Sequence, residues 1–431
     1  MKIVSLIAGA GDMYCGSCLR DNALAGELKR RGHDLTLVPL YTPVRTDGAS
    51  FSEHRVFFGG ISIYLEQMSG MFRQMPKFLD KLWDRPGVIK AFAGRGIEID
   101  PQQLGALTVS ILKGELGHQK KEIDHLIGWL RNESPPDVVT IPYTLLISLA
   151  RPLREATGRP VVCSLQGEEF FLEGLREPFK TEALRLIRER VRDVDAFIAV
   201  SQYERDFMAG YLRIPRDKIF VVKLGIDTKG ARLREPGTPQ SATFGFFGRL
   251  APEKGLHLLV DAFLQLRSRG EMGDATLEAA GYLAPERKPY LEDQRKKFRM
   301  AGCPGDFHYD GSPDWNGKMN YLQGLDVLVL PSTFDEPKGL PALEAMANGV
   351  PVIAPRRGAF PEMIEATGGG VLFVPDSVDS LAEAMLARLR NWDETMAMGR
   401  RGFERVHAEW TLQNMAANTE SVFEEVAARV R

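Results

Sequence analysis

The sequence predicts an α/β protein built from two doubly wound, Rossmann-like domains facing a central cleft. Three observations lead there. Short apolar runs alternate with helical patterns along almost the whole chain, the signature of parallel α/β construction. A polar, Pro/Gly-rich stretch, Arg234-Glu-Pro-Gly-Thr-Pro-Gln-Ser241, interrupts that alternation, and strand-and-helix counting restarts directly after it. The length of 431 residues suffices for two domains of ordinary size.

In the first half, strands are expected near Ile3–Ala8, Asp34–Leu40, Asp137–Ile141, Pro160–Ser164, Ala196–Val200 and Ile219–Val222. In the second they are expected near Ala242–Phe247, Thr276–Ala280, Asp326–Leu330, Pro351–Ala354 and Gly370–Phe373. Helical patterns lie between most of them, as at Arg20–Arg31, Leu256–Ser268 and Ser380–Asn391. Ligands of such sheets sit outside the carboxyl ends of the strands, so both domains could address one cleft. Residues 51–130 break the alternation. Their segment Met68–Trp83 mixes Met and aromatics with basic residues. Packing on the first domain, an acceptor-binding lobe and a peripheral membrane contact through 60–95 compete as readings.

Composition narrows the class. Hydrophobic content of 44% and charged content of 26% are those of a soluble globular protein. A formal net charge of −2 gives no support to nucleic acid as a partner. No run of eighteen apolar residues calls for a transmembrane helix. The apolar start Met1–Ala8 is interrupted from Gly9 to Asp12 and reads as a first strand rather than an export signal. Four cysteines (Cys15, Cys18, Cys163, Cys303) make no disulfide framework, and a cytoplasmic location is expected.

The most informative stretch is Ser332–Val352, where Glu336 and Glu344 lie eight positions apart around a Gly-Leu-Pro turn. Pro341 suits the first position of a helix and Gly349 its left-handed exit, which puts Glu336 in the preceding loop and Glu344 in the first turn. Unpaired N–H groups at a helix start attract phosphate, and carboxylates accept hydrogen bonds from sugar hydroxyls. Such a segment could grip a nucleotide-sugar at both its anionic and its hydroxylated parts. Upstream, Gly248-Arg-Leu-Ala-Pro-Glu-Lys-Gly255 joins a strand to a helix and carries Arg249 and Lys254. Two cations there would neutralise a diphosphate, against the plainer reading of a solvated loop with Glu253 as ion-pair partner. In the first domain, Gln166, Glu168 and Glu169 follow a strand and either face a ligand or cap a helix.

Two weaker signals lie in the first loop. Gly9-Ala-Gly11 lacks a glycine at position 14, which is Tyr14, so it is a poor dinucleotide fingerprint. Cys15-Gly-Ser-Cys18 is a C-x-x-C at a helix start, which keeps a redox reading open beside that of a crowded turn. The seven histidines show no metal-ligand spacing.

Taken together these segments resemble the retaining glycosyltransferases of family 4, which have the two-domain GT-B fold. The likeness runs through Gly248-Arg-Leu with Glu253-Lys-Gly255, Glu336-Pro-Lys-Gly-Leu with Glu344–Val352, then Gly358 and Glu362. More loosely it includes Arg31-Gly-His-Asp34, Val200-Ser201, Gly225-Ile-Asp227 and the stretch from Trp410. The resemblance implies an acceptor-side domain over 1–233, completed by a terminal helix at 411–431, and a donor-binding domain over 242–410. It gives Arg249 and Lys254 the donor diphosphate, Glu344 the ribose hydroxyls and Glu336 the transferred sugar. Gly16, Gly248, Gly339, Leu340 and Pro341 would form the backbone of the donor site. No metal and no cofactor are implied; the nucleotide-diphosphate sugar is a co-substrate. Three departures stand out. Lys338 replaces the family's Phe, Cys15 replaces the first of two glycines, and Gln166-Gly167 stands where a His-Asp pair is usual. That leaves Gln166 or Glu168 to touch the sugar or acceptor.

The expected activity is thus metal-independent transfer of a hexose from a nucleotide-diphosphate sugar to an acceptor hydroxyl with retention. A sugar-nucleotide epimerase or hydrolase, a redox or NAD-dependent protein using Cys15 and Cys18, and a non-catalytic binding module are the rivals.

Overall fold

The computed structural model describes residues 1–8, 16–41, 50–51, 101–235, 238 and 241–430. The Gly9–Tyr14 loop, Cys15 and the whole of 60–95 therefore lie outside the described residues, and with them the membrane-contact reading. The chain falls into two compact units, each with its own parallel sheet.

The first unit comprises Met1–Val200, Glu204–Lys223 and Met415–Arg431. Its six strands are β1 (Lys2–Ile7), β2 (Asp34–Pro39), β3 (Val138–Ile141), β4 (Val161–Ser164), β5 (Ala196–Ala199) and β6 (Ile219–Val221). They lie in the order β2-β1-β3-β4-β5-β6, all parallel. Parallel strands are covered on both faces and so read as unbroken apolar runs; β5, Ala-Phe-Ile-Ala, is buried at every position. Residues 101–130 depart from expectation. Most of them belong to two regular helices, Pro101–Lys113 and Lys120–Asn132, whose Val109, Leu112, Ile123, Leu126 and Leu130 enter the core. The second leads directly into β3, as a crossover should. The terminal helix Leu412–Val430 belongs to this unit from Met415 onward and is tied down there. Glu420 accepts from Arg31 Nε at 2.8 Å and lies 3.1 Å from His33 Nε2.

The second unit comprises Ser201–Tyr203 and Leu224–Asn414. Its strands are β7 (Thr243–Phe247), β8 (Thr276–Ala280), β9 (Phe307–Tyr309), β10 (Val327–Val329), β11 (Val352–Pro355) and β12 (Gly370–Phe373). They run in the order β12-β11-β10-β7-β8-β9, again all parallel. Strand β9 was not expected: it is a three-residue edge strand with only Phe307 buried, too short to show a period. The helix Leu256–Ser268 turns Leu256, Leu259, Val260, Phe263 and Leu266 inward, the spacing of a single apolar stripe. The chain leaves β7 toward β8 on one side and β10 toward β11 on the other. The gap between β7 and β10 is therefore the topological switch point, where open α/β sheets bind ligands at their carboxyl ends.

Candidate functional site

Strand order, not sequence proximity, assembles the site. Lys254 follows β7 and Glu336 follows β10, and these strands are neighbours although 82 residues separate the two side chains. Lys254 Nζ lies 2.5 Å from Glu336 Oε2, across the switch point. The ammonium also sits 4.7 Å from the centre of the Phe334 ring, whose π-face favours a cation. The two loops are stitched by Thr333 N–H, which donates to the Glu253 carbonyl at 2.9 Å. Arg249 stands on the same loop, half-exposed, and pairs only loosely with Glu253 at 3.3 Å. Gly248 begins this loop, its N–H bonded to the Ala280 carbonyl at the end of β8.

Glu336 is clamped from a third strand. Gly358, in the loop after β11, has φ +60° and packs so closely that a Cβ there would lie 2.5 Å from the Glu336 carbonyl oxygen. The next N–H, of Ala359, donates to that same oxygen at 2.8 Å. Gly358 thus lets two backbones meet where any side chain would push them apart.

The helix expected after Glu336 runs from Leu340 to Met346, with Gly339 as its N-cap. Pro341 therefore takes the second helical position rather than the first, and Glu344 lies beyond the first turn. Gly349 has the left-handed φ expected of it, +73°. The N–H groups of Gly339 and Leu340 make no hydrogen bond among the described residues, as befits donors at a helix start. Glu344 is not idle: its Oε1 accepts from Lys318 Nζ at 2.8 Å, and Lys318 rests on the Trp315 ring at 4.5 Å. The Lys318 side chain is 9% exposed and that of Glu344 15%, so this is a largely desolvated ion pair.

In the first unit, Gly16 opens the helix Gly16–Arg30 and is exposed. Gln166 and Glu168 are both buried. Gln166 Nε2 donates to Asp21 Oδ2 at 3.0 Å and to the Pro142 carbonyl at 2.8 Å. Both partners accept only, so they fix which end of the amide carries nitrogen. The outward role expected for Glu168 gives way to an inward one. Its Oε1 takes the N–H and hydroxyl of Thr144, and its Oε2 takes the Gln166 N–H at 2.7 Å. Glu168 is a brace between the loops after β3 and β4. Cys18 is buried, and burial pushes the Cys163 thiol well above its ordinary range, which makes Cys163 a poor nucleophile.

Among the described residues no three His, Cys, Asp or Glu side chains gather as a metal would need. None of their helices is long and apolar enough to cross a membrane.

Comparison with known proteins bears on this geometry. A family described as glycosyl transferases group 1 matches residues 233–405, and one described as Glycosyltransferase Family 4 matches residues 107–229. The two matched stretches together take in most of the chain, which is thus similar to the glycosyltransferases of family 4. Relatives include an MMP alpha-(1->4)-mannosyltransferase of Mycolicibacterium hassiacum, 28% identical over 56% of this chain and 56% of its own length. The mannosyltransferase LpsB of Rhizobium meliloti, for lipopolysaccharide core biosynthesis, is 29% identical over 54% of this chain and 66% of its own. A GDP-mannose-dependent alpha-(1-6)-phosphatidylinositol monomannoside mannosyltransferase of Mycobacterium tuberculosis is 29% identical over 63% and 71%. The chain thus matches between about half and two thirds of the length of the first two of these curated relatives. Among solved structures, sucrose-phosphate synthase of Thermosynechococcus elongatus superposes with TM-score 0.70 at 18% identity, covering both chains completely. Anabaena HepE, in complex with UDP and glucose, gives TM-score 0.67 at 16% identity over 99% of this chain and 100% of its own. The fold is GT-B.

Sequence reasoning missed Lys318, Thr333 and the bracing function of Glu168. Lys318 stands 26 residues before Glu344 in a helix whose pattern carries no sign of the pairing. Gly358 was legible as part of the family likeness, but its reason, contact with the Glu336 backbone, was not.

Proposed function

We propose that the protein transfers a sugar, a hexose, from a nucleotide-diphosphate donor to an acceptor hydroxyl, with retained configuration and without a metal ion. The observation that carries the reading is the meeting of Lys254 and Glu336 across the switch point of the second sheet, beside unbonded N–H groups at Gly339 and Leu340. One cation and one carboxylate meet where an open sheet takes its ligand, and the helix that follows Glu336 starts with two donors that have no partner among the described residues. The similarity to mannosyltransferases supports the same class.

In this reading the diphosphate draws Lys254 partly away from Glu336 and takes Arg249 as a second, bidentate partner. Glu336, so released, accepts from a hydroxyl of the sugar. Glu344, held in place by Lys318, accepts from the ribose through its remaining oxygen. The bond from the anomeric carbon to the phosphate oxygen breaks, and its electron pair stays on that oxygen. The acceptor oxygen attacks from the same face, and its proton passes to the leaving phosphate. Lys254 and Arg249 stabilise the charge developing there, a contribution usually among the largest an enzyme makes. Acceptor binding falls to the first unit, with Gln166 as the candidate contact.

The test is a thermal-shift panel of nucleoside diphosphates and their sugars on the full chain. A ligand at a hundredfold its dissociation constant adds about 2.7 kcal/mol of stability. A response to one base, followed by acceptor-dependent turnover of the matching sugar, is expected. Silence across the whole panel overturns the reading. Rapid turnover of donor with no acceptor present would instead favour hydrolysis or epimerisation.

A further inference from the structure

The second unit carries a cavity that the donor reading leaves unused. It has a volume of about 220 Å³ and is lined by Leu233, Arg234, Gly349, Met396, Ala397 and Arg400. Its surroundings place it at the amino ends of the strands. Arg234 pairs with Asp326, which immediately precedes β10, and Gly349 lies just before β11. Lys254 and Glu336 sit at the opposite, carboxyl ends, so the two sites are separate.

Charge in this cavity is unbalanced. Of the described lining residues two are arginines and none is acidic. The Arg234 side chain is 9% exposed; its Nη1 meets Asp326 Oδ1 at 2.5 Å, while its buried Nε has no hydrogen-bond partner among the described residues. The single charge of Asp326 is paired with Arg234, and its other oxygen accepts from Thr243 N–H at 2.8 Å, so one carboxylate stands against two guanidinium groups. Arg400 is exposed and makes no ion pair among the described residues. Met396, Ala397 and Arg400 share one face of the helix Trp392–Glu409, so the guanidinium stands over an apolar wall completed by Leu233.

We propose that this cavity binds a phosphate group, either free or carried on a small sugar. Guanidinium groups pair bidentately with oxyanions of that geometry, and an anion would neutralise the positive charge that Asp326 leaves over. At about 220 Å³ the cavity has room for an anion larger than a halide. The apolar wall suits the carbon body of a phosphomonoester.

The test is calorimetric and thermal-shift titration of the full chain at fixed ionic strength, with inorganic phosphate in one arm and a hexose 6-phosphate in the other. Wild type, Lys254→Ala, Arg400→Ala and Arg400→Glu are compared. Saturable binding with a rise in Tm of about 2 °C or more is expected in wild type and in Lys254→Ala, the latter excluding the donor loop as the source. Arg400→Ala should weaken binding at least tenfold and Arg400→Glu should abolish it; both substitutions fall at an exposed position that leaves the fold intact. Equal affinity in the two arms assigns a free anion, and tighter binding of the sugar phosphate assigns a phosphomonoester. Absence of saturable binding in both arms, or binding unchanged in Arg400→Glu, overturns the proposal. The donor reading is tested separately by nucleotide diphosphates on wild type, so either can fail alone.

Discussion

Removing the Lys254 amine should cost far more in turnover than in stability. The Lys254 and Glu336 side chains are 21% and 16% exposed, which places their pairing between the surface and buried regimes. A surface pair is worth about 0–1 kcal/mol, while orphaning a buried charge costs about 3–5 kcal/mol. Lys254→Ala is therefore expected to cost about 1–2 kcal/mol of stability, a fall of a few degrees in Tm. In transfer the same amine stabilises charge on the departing phosphate. Losing one such group costs about 2.7–4 kcal/mol where it has been measured in enzymes. A fall in kcat/KM of at least tenfold, about 1.4 kcal/mol or more, is the expected minimum. The assay is the initial rate of acceptor-dependent transfer, run well below the Tm of the variant and beside a circular dichroism spectrum. Glu336→Ala and the double variant complete a cycle, and coupling should make the double loss smaller than the sum. Near-normal turnover by a folded Lys254→Ala protein refutes the role assigned to the pair.

Three further outcomes follow from the same geometry. Gly358→Ala would set a Cβ 2.5 Å from the Glu336 carbonyl oxygen at a left-handed φ, so turnover should fall at least tenfold and stability by about 1–3 kcal/mol, read by rate and Tm together. Lys318→Met keeps the stem on Trp315 but leaves Glu344 without its cation; KM for the donor should rise about tenfold with kcat much less affected, measured by steady-state kinetics. Burial, and then Lys297, holds His257 below its ordinary pKa of 6.5, so the stability of its neutral form is complete above that value and is lost as pH falls below it. His257→Gln should flatten the fall in Tm between about pH 7 and 5 relative to wild type, and an unchanged slope would assign the acid sensitivity elsewhere.

How much of this could be read from the chain is clear from particular residues. Eleven of the strands announce themselves as short runs dominated by apolar residues, the composition that a parallel sheet covered by helices favours. The exception, β9, is three residues long at a sheet edge with a single buried side chain, below the length at which a pattern exists. Gly349 was identifiable because only a left-handed residue ends a helix in that way, and Glu336 and Glu344 because the turn between them has a legible chemistry. The helices at Pro101–Lys113 and Lys120–Asn132 were hidden by the irregular composition of the segment before them.

The sequence by itself determined the class of fold, the order of the elements and the residue types that can hold a diphosphate and a sugar. Tertiary structure decided which of those residues meet. Strands apolar on both faces carry no mark of their neighbours, so nothing local says that β10 lies against β7 while β8 and β9 pass to the other side. That choice alone brings Lys254 to Glu336, and the packing of separate helices brings Lys318 to Glu344. The same cause turned Glu168 inward, where Thr144 and the Gln166 backbone supply its hydrogen bonds. It also set Arg234 and Arg400 around one cavity, although 166 positions separate them.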